Sequence, residues 1–157
     1  MISSKLVQKE YTAVCFGEPE INGKKRVSGT IRSNVEKKGA ELAAETHFEV
    51  LETKKIVAEY EKKDGNGNSV SRSAEFTLSK LRLTLGTGRM HQIRIHLASV
   101  GCPIAGDDKH GDFKLNKLAR KALKIKNLLL CSRKITIPLG GDARTFEIPL
   151  PGYFDFF

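Results

Sequence analysis

The segment 86–107 concentrates side chains that can handle a charged group. Its arginines and histidines are Arg89, His91, Arg94 and His96, and no acidic residue comes before Asp107. On a helix, His91 and Arg94 share a face because they are three residues apart, and this face borders an apolar stripe through Ile93 and Leu97. Arg94 is therefore expected to be partly buried. A partly buried guanidinium is costly unless a carboxylate or a phosphate binds its donor edge.

Two interpretations of this arrangement fit the spacing. In the first, Arg94 pairs with Asp107 or Asp108, and the two histidines are ordinary polar residues of a helix. In the second, the cations bind an anionic substrate, and Arg89, in the first turn beside two glycines, is placed for a phosphate that approaches the loop. The spacing alone leaves both interpretations open.

Two helices are predicted to position these groups. The first has Thr87 as its N-cap, Met90, Ile93, Leu97 and Val100 as its apolar stripe, and Gly101 as its C-terminal cap glycine. The second lies within residues 112–127, with Leu115, Leu118, Ala119, Ala122 and Ile125 inward and the basic residues mostly outward. Lysine and arginine on the outer face give this second helix a strongly positive surface.

Alternating apolar residues predict strands on both sides of the helices. Residues 9–17 and 44–53 are predicted as strands, and 55–86 as two or three strands with a hairpin at "KDGNGN". The chain closes with a strand pair turned at Gly140-Gly141-Asp142. These elements predict an α+β fold with a mixed, mostly antiparallel β-sheet flanked by helices.

Composition limits the classes of protein to which the chain can belong. With 157 residues, the chain is expected to form a single domain, 1–157. The formal net charge is +9, of which +8 lies in residues 76–157, so a polyanion or an anionic surface is expected as partner, and the charge does not choose between nucleic acid and lipid. Three widely spaced cysteines without a CxxC pair, and no secretory or membrane-spanning segment, predict a soluble protein of the cytoplasm that uses no metal.

The basic residues form a predicted track for the backbone of a nucleic acid. Contacts of this kind give affinity and salt dependence but no choice of sequence. The residues predicted to contact this nucleic acid, which the resemblance described next implies to be RNA, are Arg89, His91, Gln92, Lys114, Lys117, Arg120, Lys121 and Lys124.

The segment "GTGRMHQIRIHLASVGCPIAGDDKHGD" (86–112) closely resembles the signature of the RluA/RluC-type RNA pseudouridine synthases. "VQKEYTAVCFG" (7–17) and "AAETHFEVLE" (43–52) resemble two strands of that family. "LLLCSRKITIPL" with "FEIPLP" resembles its closing hairpin. The chain departs from the family at Cys102, His110 and Cys131-Ser132, which are not catalytic positions. The resemblance implies a partial pseudouridine synthase fold and an isomerase that acts on ribosomal or transfer RNA without a cofactor.

The resemblance also implies catalytic roles. Tyr11 matches the tyrosine that stacks on the flipped uridine and assists proton transfer at C5, and Arg94 matches the arginine that pairs with the nucleophilic aspartate. The Arg-Leu-Asp segment that carries this aspartate does not occur in the 157 residues. The chain is therefore expected to be the C-terminal portion of the catalytic domain, inactive alone, with a separate chain as one possible source of the aspartate.

Two alternatives to a synthase stay open at this point. One is a non-catalytic RNA-binding or ribosome-assembly protein derived from such an enzyme. The other is a peripheral membrane protein that uses the second helix. The membrane alternative is weakly supported because that helix has no aromatic anchor after Phe113 and several alanines on its apolar face, so no membrane partner is expected.

Overall fold

The computed structural model describes residues 7–155 and contains a six-stranded sheet, two short accessory hairpins and two helices. The strands are β1 (Gln8–Phe16), β2 (Glu20–Ile21), β3 (Lys24–Lys25), β4 (Ser28–Arg32), β5 (Val35–Lys37), β6 (Ala40–Leu42), β7 (Glu45–Lys63), β8 (Ser69–Leu85), β9 (Leu130–Leu139) and β10 (Asp142–Glu147). The helices are α1 (Gln92–Ser99) and α2 (Phe113–Ala122), and a 3-10 turn covers Gly152–Phe154.

The main sheet has the strand order β10-β9-β1-β8-β7-β4, and every pairing within it is antiparallel. The predicted α+β class with a mostly antiparallel sheet is confirmed. The central strand β1 pairs with β8 on one side and with β9 on the other. Beyond β9, the segment 103–105 continues the ladder along β1.

The core lies against the middle of the sheet. Its fully buried members include Val14, Leu78, Leu81, Leu83 and Leu97, which come from β1, β8 and α1. At the end of α1, Gly101 adopts φ +72° and the N–H of Cys102 reaches the carbonyl of Leu97, as a glycine cap requires. This confirms the predicted C-terminal cap. No helix in the described part of the chain is long and apolar enough to cross a bilayer.

The region 44–63 differs from the prediction. In place of two strands with a break, β7 is continuous over 19 residues, and it forms one long hairpin with β8 around the turn 64–68. A bulge shifts the register between Val50 and Glu52. Because one extra residue moves all later side chains to the opposite face, the alternation breaks there and imitates the end of a strand.

Candidate active site

The loop before α1 is held by Thr87 and Gln92. The Thr87 hydroxyl accepts a hydrogen bond from the backbone N–H of Glu45 (3.0 Å) and donates one to Gln92 Oε1 (2.6 Å). Helix α1 begins only at Gln92, and His91 is its N-cap with a left-handed φ of 53°. The predicted N-cap role of Thr87 is therefore wrong, and Arg89 precedes the helix. Met90 also lies outside the apolar stripe because its side chain is exposed.

Gln92 connects this loop to β7. Its Nε2 donates to the carbonyl of Glu45 (2.7 Å) and to Thr46 Oγ1 (2.9 Å), while its Oε1 also accepts from the backbone N–H of Arg89 (3.0 Å). The side chain is 2% exposed. The contact of Gln92 with RNA stays a prediction. The role of Gln92 in the structure is to fix the loop that carries Arg89.

Arg94 and Asp107 form a two-pronged ion pair. Arg94 Nε donates to Asp107 Oδ2 (3.0 Å), and Arg94 Nη2 donates to Asp107 Oδ1 (2.6 Å). The Arg94 side chain is 13% exposed and the Asp107 side chain is fully buried. The first interpretation of the sequence, in which Arg94 pairs within the chain, is confirmed for this contact. Charge-assisted bonds in this fork geometry are the strongest that an arginine makes.

The environment of Asp107 stabilises its carboxylate. Burial alone would raise the pKa of Asp107. The hydrogen bond from Arg94, those from the backbone N–H groups of His110 and Lys109, and the charge of Arg94 together outweigh burial and lower the pKa to about 2. Asp107 therefore stays ionised at neutral pH, although its side chain is buried from solvent.

Acid is expected to weaken the fold through this group. Because the pKa of Asp107 is lower in the folded chain than the ordinary value of about 4, its stabilisation is complete above that value and is lost as the pH falls toward 2. The difference in the free energy of unfolding between the wild type and an Asp107→Asn variant should therefore shrink as the pH falls from about 5 to about 2. Urea titrations at several pH values measure this gap.

The comparison with the variant removes groups whose pKa does not depend on Asp107. His96 has a lowered pKa, chiefly through burial, and it affects both chains equally. A gap that stays constant down to pH 2 would contradict a carboxylate stabilised in the folded state.

The side chain of Asn116 in α2 forms hydrogen bonds with two backbone groups of the turn that carries Asp107. Its Oδ1 accepts a hydrogen bond from the N–H of Gly106 (2.9 Å), and its Nδ2 donates to the carbonyl of Asp107 (2.7 Å). Gly106 adopts φ +80° and has no room for a Cβ. The sequence prediction missed Asn116. The sequence feature that could have indicated it is a polar residue on the inward side of the second predicted helix, between Leu115 and Ala119.

The two histidines of the signature have different environments. His96 is fully buried, with Nδ1 2.8 Å from Thr46 Oγ1 and Nε2 3.2 Å from the carbonyl of Ser33, so it is an ordinary core histidine. His91 is half-buried, and its Nδ1 lies 3.1 Å from His110 Nε2. Within residues 7–155, no three histidine, cysteine, aspartate or glutamate side chains lie close enough together to hold a metal ion.

Tyr11 lines a cavity of about 640 Å³ between β1 and the loop 86–89. The lining residues are Val7, Lys9, Tyr11, Leu85, Gly86, Thr87, Gly88 and Arg89. Tyr11 follows a register shift in the pairing of β1 with β9. The cavity combines an aromatic ring, two cations and a glycine-containing loop, which suits a planar base with a phosphate. The structure brings Tyr11 and Arg89 together, whereas Arg94 is not among the lining residues.

The predicted basic helix is exposed as expected. Asp112 caps α2 by accepting a hydrogen bond from the N–H of Leu115 (2.9 Å). The helix ends at Ala122, five residues before the predicted limit, and Lys124 follows with a left-handed φ of 59°. The exposed basic residues are Lys114, Lys117, Arg120, Lys121 and Lys124. The contacts of these residues with RNA stay predictions, and so do the contacts of Arg89 and His91.

Comparison with known proteins identifies similar sequences. Residues 1–99 match a family model described as RNA pseudouridylate synthase. A ribosomal large subunit pseudouridine synthase C from Rickettsia conorii is 35% identical over 150 residues, and its counterpart from Rickettsia felis is 34% identical over 150. Each alignment covers 96% of this chain and 44% of the relative. The chain thus spans less than half the length of these curated relatives.

Solved structures show the same fold. Human RNA Pseudouridylate Synthase Domain Containing 4 superposes with a TM-score of 0.61 at 20% identity, covering 96% of this chain and 60% of the human one. Human RNA Pseudouridylate Synthase Domain Containing 1 gives a TM-score of 0.59 at 19% identity, with coverages of 92% and 55%. At these identities the likeness concerns the arrangement of strands and helices.

Proposed function

The chain belongs to the RNA pseudouridylate synthase family, of the RluA/RluC type, and we propose from this that its Tyr11 and Arg94 belong to the active site of an enzyme that isomerises uridine in RNA to pseudouridine. The observation that carries the proposal is the cavity in which Tyr11 lies with Lys9 and Arg89. A uridine flipped out of RNA would stack on Tyr11, and the two cations would hold its phosphates. No cofactor is needed for this isomerisation.

The nucleophile is proposed to come from outside these 157 residues. Asp107 is unsuited to attack because it is buried and both of its oxygens accept hydrogen bonds from Arg94. Arg94 keeps further N–H donors on Nη1, since a guanidinium carries five in all. We propose that an aspartate from an additional segment or a separate chain binds this remaining edge, and that the present chain is inactive without it.

The proposed substrate is ribosomal RNA. The support is the name of the Rickettsia relatives and the positive charge of residues 76–157, including the exposed face of α2. The proposed location is the cytoplasm, which agrees with three cysteines that are all free thiols. Transfer RNA is the competing substrate class, and both are to be tested.

The proposal is tested by pseudouridine formation on ribosomal and transfer RNA labelled with tritiated uridine. The chain alone is expected to give no turnover. The chain combined with a polypeptide that carries the family's aspartate segment is expected to turn over. Binding of RNA without turnover in either case would favour the alternative of a non-catalytic RNA-binding or ribosome-assembly protein.

Replacing Tyr11 with phenylalanine is expected to reduce turnover of the combined enzyme by about 10²–10⁴-fold, the range for loss of a general acid or base. The ring that stacks on the base stays, so RNA affinity should change by less than about threefold. Tyr153→Phe is the matched control, because Tyr153 lies in the C-terminal 3-10 turn and keeps its exposed ring. Turnover within threefold of the wild type for Tyr11→Phe would remove the hydroxyl from the mechanism.

A further inference from the structure

The hairpin of β7 and β8 extends beyond the rest of the sheet. β7 pairs with β4 only over residues 45–49, and β8 pairs with β1 only over residues 78–84. Within the described chain, residues 54–63 and 69–77 therefore form a two-stranded extension, here called the ribbon. Ten residues of strand span about 33 Å at ~3.3 Å per residue. The ribbon can thus contact a ligand far from the Tyr11 cavity.

The two faces of the ribbon differ in charge. The register joins even-numbered residues to even-numbered residues, for example Tyr60 to Arg72 and Lys62 to Val70. The face formed by even-numbered residues of 54–62 and 70–76, here called the basic face, has three charged residues, all of them cations: Lys54, Lys62 and Arg72. The opposite, odd-numbered face has Glu59, Glu61 and Glu75 beside Lys55 and Lys63. Acidic residues are thus confined to one face.

The outer part of the basic face combines an aromatic ring with cations. Tyr60 is half-buried, and its cross-strand neighbour Arg72 is exposed, as is Lys62. Among the residues that the structure covers, neither Lys62 nor Arg72 has a carboxylate within ion-pair distance. Both line a cavity of about 340 Å³ at the ribbon's tip, where three cations meet one carboxylate; the lining residues are Lys62, Lys63, Asp64, Gly65, Val70 and Arg72. Such a surface offers stacking and phosphate contacts to the same ligand.

We propose that the basic face of the ribbon binds a single-stranded segment of the substrate RNA, outside the nucleotide that is isomerised. A base would stack on Tyr60, and the neighbouring phosphates would contact Lys62 and Arg72, because unpaired bases offer their flat faces to aromatic rings and guanidinium groups. Duplex RNA keeps its bases stacked inside and offers this face phosphates and 2′-hydroxyls but no flat face of a base. The inference rests on the proposed function in that it takes RNA as the substrate.

Binding of a fluorescently labelled RNA to the full chain tests this inference. The probes are a single-stranded 20-mer of mixed sequence and the duplex formed from it, measured by fluorescence anisotropy at several salt concentrations. The main comparison is between Lys62→Ala/Arg72→Ala on the basic face and a control, here called the opposite-face variant, that joins Lys55→Ala on the opposite face with Lys24→Ala on β3, because Lys63 lines the tip cavity. Both double variants remove two positive charges from exposed positions, so that a general loss of charge affects them equally.

The basic-face variant is expected to weaken binding of the single strand by about tenfold and to reduce the slope of log K against log salt by about 1.4, the value for two phosphates of a single strand. The opposite-face variant should lose less than about twofold. Tyr60→Ala should lose about tenfold on the single strand and little on the duplex. The melting temperatures of the two double variants should stay within about 2 °C of the wild type because the sites are exposed.

Four results would overturn the inference. Equal losses for the two double variants would show that the ribbon contributes only charge. Unchanged binding in all variants, with the wild type still bound to RNA, would remove the ribbon from the RNA interface while leaving the proposed function intact. Absence of RNA binding by the wild type would overturn both proposals, and a concentration-dependent dimer lost only in the basic-face variant would assign the face to a second copy.

Discussion

Replacing Asp107 with asparagine is expected to lower the free energy of unfolding by about 3–5 kcal/mol, the usual result of removing one member of a buried ion pair. Arg94 is only 13% exposed and would keep its charge without the carboxylate that compensates it. Two backbone N–H groups, those of Lys109 and His110, would also lose a charged acceptor. Urea denaturation followed by circular dichroism measures the change.

The neighbouring residue supplies a matched control. Asp108 has a 98% exposed side chain and lies 3.7 Å from Arg94 Nη2, so Asp108→Asn should cost less than about 0.5 kcal/mol. Replacing both members of the pair, as in Arg94→Met/Asp107→Leu, should be less damaging than Asp107→Asn alone because no uncompensated charge stays buried. A loss below about 1 kcal/mol for Asp107→Asn would contradict this account of the ion pair.

Replacing Gly106 with alanine is expected to cost at least about 3 kcal/mol. The residue has φ +80°, and a Cβ would lie 1.9 Å from the carbonyl oxygen of Asn127. A left-handed alanine costs about 1–2 kcal/mol, and the backbone shift that relieves such a clash adds about 1–3 kcal/mol. Because the Gly106 N–H binds Asn116, the shift should also disturb the turn that carries Asp107. Thermal and urea unfolding both report the loss.

A substitution at Gly101 measures the conformational cost without the cost of the clash. Gly101 has a similar φ of +72°, but a Cβ there would meet no atom within 4 Å. Gly101→Ala should therefore show the conformational cost alone, about 1 kcal/mol. Equal losses at the two glycines would mean that the close approach of residue 127 does not matter.

Local sequence patterns predicted most of the fold, and the errors have physical causes. The closing hairpin turned where Gly140 and Gly141 adopt positive φ angles, as the double glycine indicated. The start of α1 was misplaced because Thr87 has the right type for a cap, while tertiary bonds to Glu45 and Gln92 use its hydroxyl instead. A periodic pattern depends only on residues that are close along the chain, so it cannot predict that Thr87 binds Glu45, which is 42 residues away.

The candidate site was predictable residue by residue, but its connections were not. The charge and apolar neighbours of Arg94 implied a buried guanidinium that needs an anion, and spacing left Asp107 and Asp108 equally available. The backbone donors of Lys109 and His110 favour Asp107, and they depend on a turn that only the packing of α2 creates. The hydrogen bonds from Gln92 to Glu45 and Thr46 could not be predicted, because a glutamine in a signature can contact a ligand or support a loop.

The central position of β1 has a consequence for the order in which the chain folds. The hairpin of β7 and β8 closes around a local turn at residues 64–68, an event that takes about 1–10 μs in simple hairpins. β1 must then find β8 some 70 residues along the chain, and β9 about 120 residues along it. Because loop closure must precede such distant pairings, the entropic barrier to folding lies at the insertion of β1. Tyr11, which β1 carries, is therefore among the last groups to reach its place.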